Sequence, residues 1–374
     1  MEKILWASLI RRKARGKELR SALSGLLCVL FITGCTAVKP NGEIHSGRFQ
    51  FGAIGDQQYT VEDEAKFPNL IEDINEANLA FVVHVGDIET DPRPYYVNSL
   101  AFKSVPCTDE TFFHRRDEFQ KSKHPFIYTP GDNEWTDCHY VKHRNNDPLE
   151  RLEKLRDIFF QGDQTLGQRT LGLIRQSNDP KYAKFRENVR WIYGDVLFVS
   201  LHLAGSNNNF GRTSEMDAEY KERNDANLTW MKQAFELARR NGNKAITILT
   251  QANPGFQNLW PAARFRRYVL NSPIKLPEKK PKTGYDDFMA ALEVETVAFK
   301  RPVLMVHGDS HIFRVDQPLV SSKTGRVIEN FLRLETFGTP DVHWVKVIVD
   351  VNDPNVFTFK PEIVKKNIVD HSTK

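Results

Sequence analysis

From about residue 48 onward, short apolar runs alternate with amphipathic stretches. Phe49 to Ile54 reads as a strand and Glu62 to Asn78 as a helix. Leu79 to Val85 is a nearly continuous apolar run, which predicts a buried strand, and Pro125 to Thr129 predicts another. Between Pro148 and Phe160, Leu149, Leu152, Leu155, Ile158 and Phe159 recur at helical spacing. Trp191 to Leu203 predicts a hairpin turning at Gly194-Asp195, and Asp217 to Arg240 a long helix ended by Gly242. A strand over Ala245 to Thr250, a helix over Asp286 to Phe299 and a strand over Pro302 to Val306 follow. The last third is β-rich, through Ile312 to Val315, Asn330 to Thr336, His343 to Val351 and Val356 to Lys360.

Strands alternating with helices, then a run of strands, predict a layered α/β sandwich. No internal repeat or linker divides it, so one domain spans residues 48–362, followed by a tail over residues 363–374. Two stretches, Ile88 to His124 and Gly255 to Thr283, break the pattern and predict long irregular connections of the kind that carry function. The second holds Arg264, Arg266, Arg267, Lys275, Lys279, Lys280 and Lys282. It reads as a solvated basic loop, with attraction of an anionic substrate or headgroup as the alternative.

Residues 1–34 stand apart from this pattern. They carry seven Lys/Arg against Glu2 and Glu18, then an apolar run from Leu26 to Ile32, and end in Thr33-Gly34-Cys35. A basic start, a short apolar stretch and small residues at its end predict a secretory signal. The Gly34-Cys35 junction resembles the bacterial lipoprotein processing box, which implies lipidation of Cys35, residues 35–47 as a tether, and a place in the cell envelope. Thr36 rather than Asp after the Cys suits the outer membrane, facing the periplasm. Of the chain's net charge of +4, this leader supplies +5, which leaves −1 for the remainder. No whole-chain basicity therefore points to a nucleic-acid-binding module. With Cys28 removed in the leader and Cys35 lipidated, Cys107 and Cys138 remain in an oxidising compartment. They are candidates for one disulfide worth roughly 3–4 kcal/mol by loop entropy, or else two free thiols.

The candidate chemistry lies just after the apolar strands. Gly55-Asp56-Gln57-Gln58, Gly86-Asp87, Gly131-Asp132-Asn133-Glu134, Gln251, and His307-Gly308-Asp309-Ser310-His311 each follow one. In open α/β sheets the ligand crevice lies beyond the carboxyl ends of the strands, so five strand ends aim oxygen and nitrogen atoms at one place. Glycine before each Asp permits tight turning and close approach. The i, i+2 spacing of Asp56/Gln58 and of His307/Asp309/His311 puts these side chains on one side if the backbone stays extended. Clustered carboxylates repel unless cations lie between them, which points to metal.

The order of these motifs, from Phe49 to about Pro318, resembles the calcineurin-like metallophosphoesterases, whose fold is a two-sheet α/β sandwich and whose site holds two bridged metals. Asp56, Asp87 and His311 match that pattern, with Asp87 in the bridging place. The resemblance implies Asp56, Gln58 and His311 on one ion and Asp132, Gln251 and Asp309 on the other. Gln58, Gln251 and Asp309 stand where the family has His, and Asp132 where it has Asn. Asn133 replaces the His that assists departure of the leaving group, a role for which His202, His139 and Glu134 are alternatives. Carboxylate and amide oxygens in place of imidazoles favour Mn, Mg or Ca over Zn or Fe. The implied function is metal-dependent hydrolysis of a phosphate mono- or diester by a bridging hydroxide. The alternatives are a catalytically silent lipoprotein that binds metal or ligand, and an envelope protein using only the fold.

Overall fold

The structure, a computed structural model, describes residues 47–90, 105–140, 145–256 and 282–369. Among them are strands β1 (Arg48–Ile54), β2 (Val82–His84), β3 (Phe126–Tyr128), β4 (Ile174–Arg175), β5 (Val189–Tyr193), β6 (Val196–Ser200), β7 (Ala245–Leu249), β8 (Val303–His307), β9 (Arg314–Asp316), β10 (Phe331–Glu335), β11 (Trp344–Asp350) and β12 (Phe357–Glu362). The helices are α1 (Val61–Glu76), α2 (Asp109–Phe119), α3 (Pro148–Phe159), α4 (Ser214–Asn241) and α5 (Asp286–Phe299). One sheet runs β12-β11-β1-β2-β3 and the other β4-β5-β6-β7-β8-β10-β9. This is the expected two-sheet α/β sandwich. Each sheet is mixed: β1, β2 and β3 are parallel, as are β6, β7, β8 and β10, with antiparallel strands at the flanks.

Period-two alternation explains the layers. In β6, Val196 and Phe198 join the core between the sheets, while Leu197 and Val199 join the core under α4 and α5. β8 repeats this with Leu304 and Val306 against Val303 and Met305. On the first sheet, Phe49, Phe51 and Ala53 face the middle layer, where Phe51 stacks on Phe81 and meets Phe198 edge-on. The opposite face of that sheet carries Val82 and Phe126 and is covered by Phe67, Leu70 and Ile74 of α1, Phe112 and Phe119 of α2, and Leu152, Leu155 and Phe159 of α3. Both sheets are therefore buried on two faces, which is why their central strands read as unbroken apolar runs.

Helix ends follow the sequence signals. Thr60 and Asp63 form a reciprocal capping box at the start of α1, and Gly242 closes α4 with φ of 74°. The expectation of an irregular Ile88–His124 is corrected by α2. Its buried face carries Arg115 and Glu118 beside Phe112 and Phe119, so the apolar periodicity that signals a helix is absent. The bulk of the Gly255–Thr283 stretch, its basic residues up to Lys280, and Cys35 lie outside the described residues. Lys282 pairs with Asp287 at 3.5 Å. Among the described residues no helix is long and apolar enough to cross a membrane.

Two histidines that interrupt apolar strands are core groups. His84 accepts a hydrogen bond at Nδ1 from Gly86 N and lies among Phe119, Phe126 and Tyr128. Burial, then the Arg115 charge, lowers its pKa to about 3. His202 bonds Glu187 Oε1 through Nδ1 at 2.9 Å and meets Trp135 edge-on. Burial lowers it to about 4, against the raising effect of Glu187. Each folded value lies below the ordinary one, so each histidine contributes stability that is complete above about pH 6.5 and is lost as pH falls toward 4. Imidazole NMR between pH 7.5 and 5 is expected to show both rings neutral throughout, and a midpoint above pH 6 for either would contradict this packing.

Candidate metal centre

Parallel strands deliver the candidate residues to one rim. Asp56 follows β1, Asp87 follows β2, Asp132 and Asn133 follow β3, Gln251 follows β7, and Asp309 and His311 follow β8. Hydrogen bonds join the two sheets there. Asp309 N donates to Asp56 Oδ1 at 2.7 Å, and Gln251 Nε2 donates to Asp87 Oδ2 at 3.1 Å. Gly205 N, after β6, donates to Gln251 Oε1 at 2.6 Å. The structure thus brings Asp56, Asp87, Asp132, Gln251, Asp309 and His311 into one crevice.

The backbone there is not extended, and the parity argument from i, i+2 spacing fails for that reason. Asp56, Gln58, Asp87, Asp309 and His311 have φ of 55°, 68°, 59°, 80° and 60°. Left-handed backbone at non-glycine residues is uncommon and costs about 1–2 kcal/mol each. His307, still on β8, is buried beside Phe256, while Asp309 and His311 turn away from its register. The glycines act through close approach. A Cβ on Gly131 would lie 1.8 Å from Asp87 Oδ1 and 2.6 Å from Asp87 N, and one on Gly308 would lie 1.7 Å from Asp56 Oδ2.

Acceptors outnumber donors around Asp56. Its side chain is fully buried and its Oδ2 has no hydrogen-bond partner among the described residues. His311 Nδ1 lies 3.0 Å from Thr339 O, a carbonyl that can only accept, so this nitrogen carries a proton. That Nε2 is 3.8 Å from Asp56 Oδ1 and 3.2 Å from Tyr59 Oη. Tyr59 has one hydroxyl proton and donates it to Asp87 Oδ2 at 2.7 Å. The Asp56 carboxyl, the His311 ring and the Tyr59 oxygen therefore face one another. Burial, with Asp309, Glu335 and Asp132 nearby, pushes the Asp56 carboxyl well above its ordinary range, against the Asp309 N–H that lowers it. Arg314 and Arg115 are engaged by Glu335 and by Glu64 and Glu118. Among the described residues, no lysine or arginine pairs with Asp56 or Asp87. A divalent cation beside Asp56 fits its buried carboxylate oxygen, which has no donor among the described residues.

The neighbourhood of Asp87 is different. Its Oδ1 accepts from Asp132 N at 3.0 Å and Asn133 N at 3.2 Å, and its Oδ2 from Tyr59 Oη and Gln251 Nε2. Burial, then Asp132 and Glu134, raises its pKa, which the Tyr59 bond opposes. Gln58 Nε2 donates to Glu118 Oε2 at 2.6 Å, which leaves its buried Oε1 without a donor. Asn133 Nδ2 donates to Glu89 O at 3.1 Å. Asp309 Oδ2 accepts from Asn253 N at 2.8 Å.

Of the proton-donor candidates, His202 is held in the Glu187–Arg156 network, where Arg156 bonds Glu187 at 2.6 Å. His139 Nδ1 lies 2.8 Å from Thr136 O and 2.7 Å from Arg212 Nη1, and Glu134 Oε1 accepts from Tyr128 Oη, Gly131 N and Asp87 N. Cys107 and Cys138 form the disulfide, with Cα atoms 5.9 Å apart, tying the entry to α2 to the turn after Asn133. Among the described residues, Glu89, Cys107 and Cys138 form the one group of three Cys, His, Asp or Glu donors mutually within 4.8 Å, and both sulfurs are used by the disulfide. Sequence reasoning passed over Tyr59, Glu335 and Gly205. Tyr59 directly follows Gly55-Asp56-Gln57-Gln58, and Glu335 ends an apolar strand as the other acids do, so both carried a readable signal.

No protein-family profile matches the sequence, and no curated protein matches it. Among solved structures the chain is similar to that of PhoD, with TM-score 0.47 and 11% identity over 85% of this chain and 70% of that one. It is also similar to GAP50, the anchor in the inner membrane complex of Plasmodium, with TM-score 0.39 and 11% identity over 85% of this chain and 89% of that one.

The contact between Gly131 and Asp87 can be tested directly. Gly131→Ala is expected to destabilise the protein by about 2–3 kcal/mol, since backbone and carboxylate must both move. Urea unfolding measures it, and unchanged stability would contradict the close approach.

Proposed function

We propose that the chain is a cation-dependent phosphoric ester hydrolase working at the crevice formed by Asp56 and His311. The observation that supports this most is the buried Asp56 carboxylate, whose Oδ2 has no hydrogen-bond partner among the described residues, with His311 Nε2 3.8 Å from its Oδ1. An anionic ester cannot enter a crevice floored by carboxylates unless positive charge is present. A bound divalent ion supplies that charge, polarises a phosphoryl oxygen and acidifies a water. Oxygen-rich surroundings favour Mn, Mg or Ca over Zn or Fe. In this reading Asp56 and His311 hold the ion, and Thr339 O fixes the tautomer of His311. Asp87 fixes the Asp132-Asn133 backbone beside it. Lipidation of Cys35 and a periplasm-facing outer-membrane location belong to the same proposal and rest on the leader sequence.

One observation favours a second reading, a silent relative that binds the cation or a ligand without turnover. Asn133 occupies the place of the expected proton donor, its amide cannot release a proton, and its Nδ2 is bonded to Glu89 O. Loss of general acid help is worth about a hundredfold to ten-thousandfold in rate.

Hydrolysis of 4-nitrophenyl phosphate and bis(4-nitrophenyl) phosphate by the full chain in detergent, with Mn, Mg, Ca or chelator, separates the two. The hydrolase reading expects turnover that needs cation and falls at least about a hundredfold in Asp56→Asn. A folded protein that binds cation and turns over neither ester would leave the second reading. Stoichiometric Zn or Fe after chelator-free purification would overturn the metal preference.

A further inference from the structure

We infer that Arg223, buried on α4, is a positioning residue of the crevice. It holds a left-handed turn over Ser206 to Asn209, and that turn seats Gly205 against Asp132 and Gln251. Its effect on rate rests on the hydrolase reading, whereas the geometry it sets does not. Ser206, Asn207, Asn208 and Asn209 have φ of 46°, 58°, 56° and 64°. Left-handed backbone costs about 1–2 kcal/mol per residue and normally occurs at single positions. Four such residues in succession therefore need other groups to hold them.

Arg223 is one of these groups, and every donor it has is used. Its Nε donates to Glu219 Oε1 at 2.6 Å, and Nη2 donates to Glu219 Oε2 at 3.0 Å and Asn208 O at 3.1 Å. Its Nη1 donates to Asn208 Oδ1 and to His202 O. Five N–H groups thus meet five acceptors, in a fixed fork that a lysine cannot reproduce. Glu219 balances the charge of this buried guanidinium. Gly284 and Tyr285, just before α5, complete the hold. Asn208 N donates to Tyr285 Oη, Asn208 Nδ2 to Gly284 O, and Gly284 N to Asn207 Oδ1.

The turn touches crevice loops of both sheets. Gly205 N donates to Gln251 Oε1 at 2.6 Å, and a Cβ on Gly205 would lie 2.4 Å from Asp132 Oδ1. Ser206 Oγ donates to Asp137 Oδ2 at 2.6 Å, and Thr136 Oγ1 to Asn209 Oδ1 at 2.9 Å, which ties down the loop carrying Asn133. The turn therefore sets Asp132, Asn133 and Gln251 relative to one another, and Arg223 keeps it wound.

Two variants test this. Arg223→Lys keeps a cation for Glu219 but loses the fork, and Asn208→Gly keeps a residue at ease with positive φ but removes the side-chain acceptor. Each is compared with the wild type as the full chain in detergent, by urea unfolding, by turnover of the two nitrophenyl esters with Mn²⁺, and by the Gly205 amide resonance in ¹⁵N-glycine-labelled protein. The Gly205 resonance is expected to move, and kcat per folded molecule to fall about tenfold to a hundredfold with KM changed less than about threefold. An unchanged kcat per folded molecule, which a purely structural Arg223 predicts, would overturn the inference. An unmoved Gly205 resonance would overturn it as well, because the effect would then not pass through the turn. If the wild type hydrolyses neither ester, the hydrolase reading falls by itself, and the Gly205 resonance alone decides whether Arg223 positions the crevice. If Arg223→Lys does not fold, Asn208→Gly decides.

Discussion

Buried carboxylates must be paired with donors or with positive charge, and this constraint shapes the crevice of the sandwich. Parallel strands bring Asp56, Asp87 and Asp132 out of an apolar interior at neighbouring ends, where water cannot solvate them. The chain answers in two ways. Around Asp87 it supplies four hydrogen-bond donors from loops after three strands. Around Asp56 it supplies one N–H, from Asp309, and its Oδ2 has no donor among the described residues. The second arrangement is stable only with a cation or a proton in place.

The turns that achieve this are held in unfavourable conformations. Asp56, Asp87, Asp309 and His311 of the crevice, and Gln58 beside them in sequence, sit at left-handed backbone angles, and a Cβ on Gly131 or Gly308 would occupy the space of a carboxylate. Such strain persists where surrounding structure over-determines it. Here the surroundings are the three buried layers, the disulfide behind Asn133 and the Thr60–Asp63 cap that starts α1 four residues after Asp56.

Much of this was legible in the residues. The apolar runs of β1, β2, β3, β7 and β8 marked strands, and the acids and amides after them marked the rim, because a chain leaving a buried strand must first meet solvent or ligand. Less legible was anything set by long-range contact. Arg115 and Glu118 disguise α2, since a buried face made of an ion pair has no apolar period. Left-handed turns displaced Asp309 and His311 from the parity that His307 suggested. Gln251 was readable as a polar residue at a strand end, but which end of its amide faces Asp87 depends on Gly205, 46 positions away. The place of Tyr59 depends in the same way on Asp87 and His311.

The proposed binding place for a divalent cation is the crevice around Asp56 and His311. Anomalous diffraction from crystals of the protein grown with Mn²⁺ tests that claim most directly. A peak within coordinating distance of an Asp56 carboxylate oxygen is expected. A crevice without a peak would contradict it.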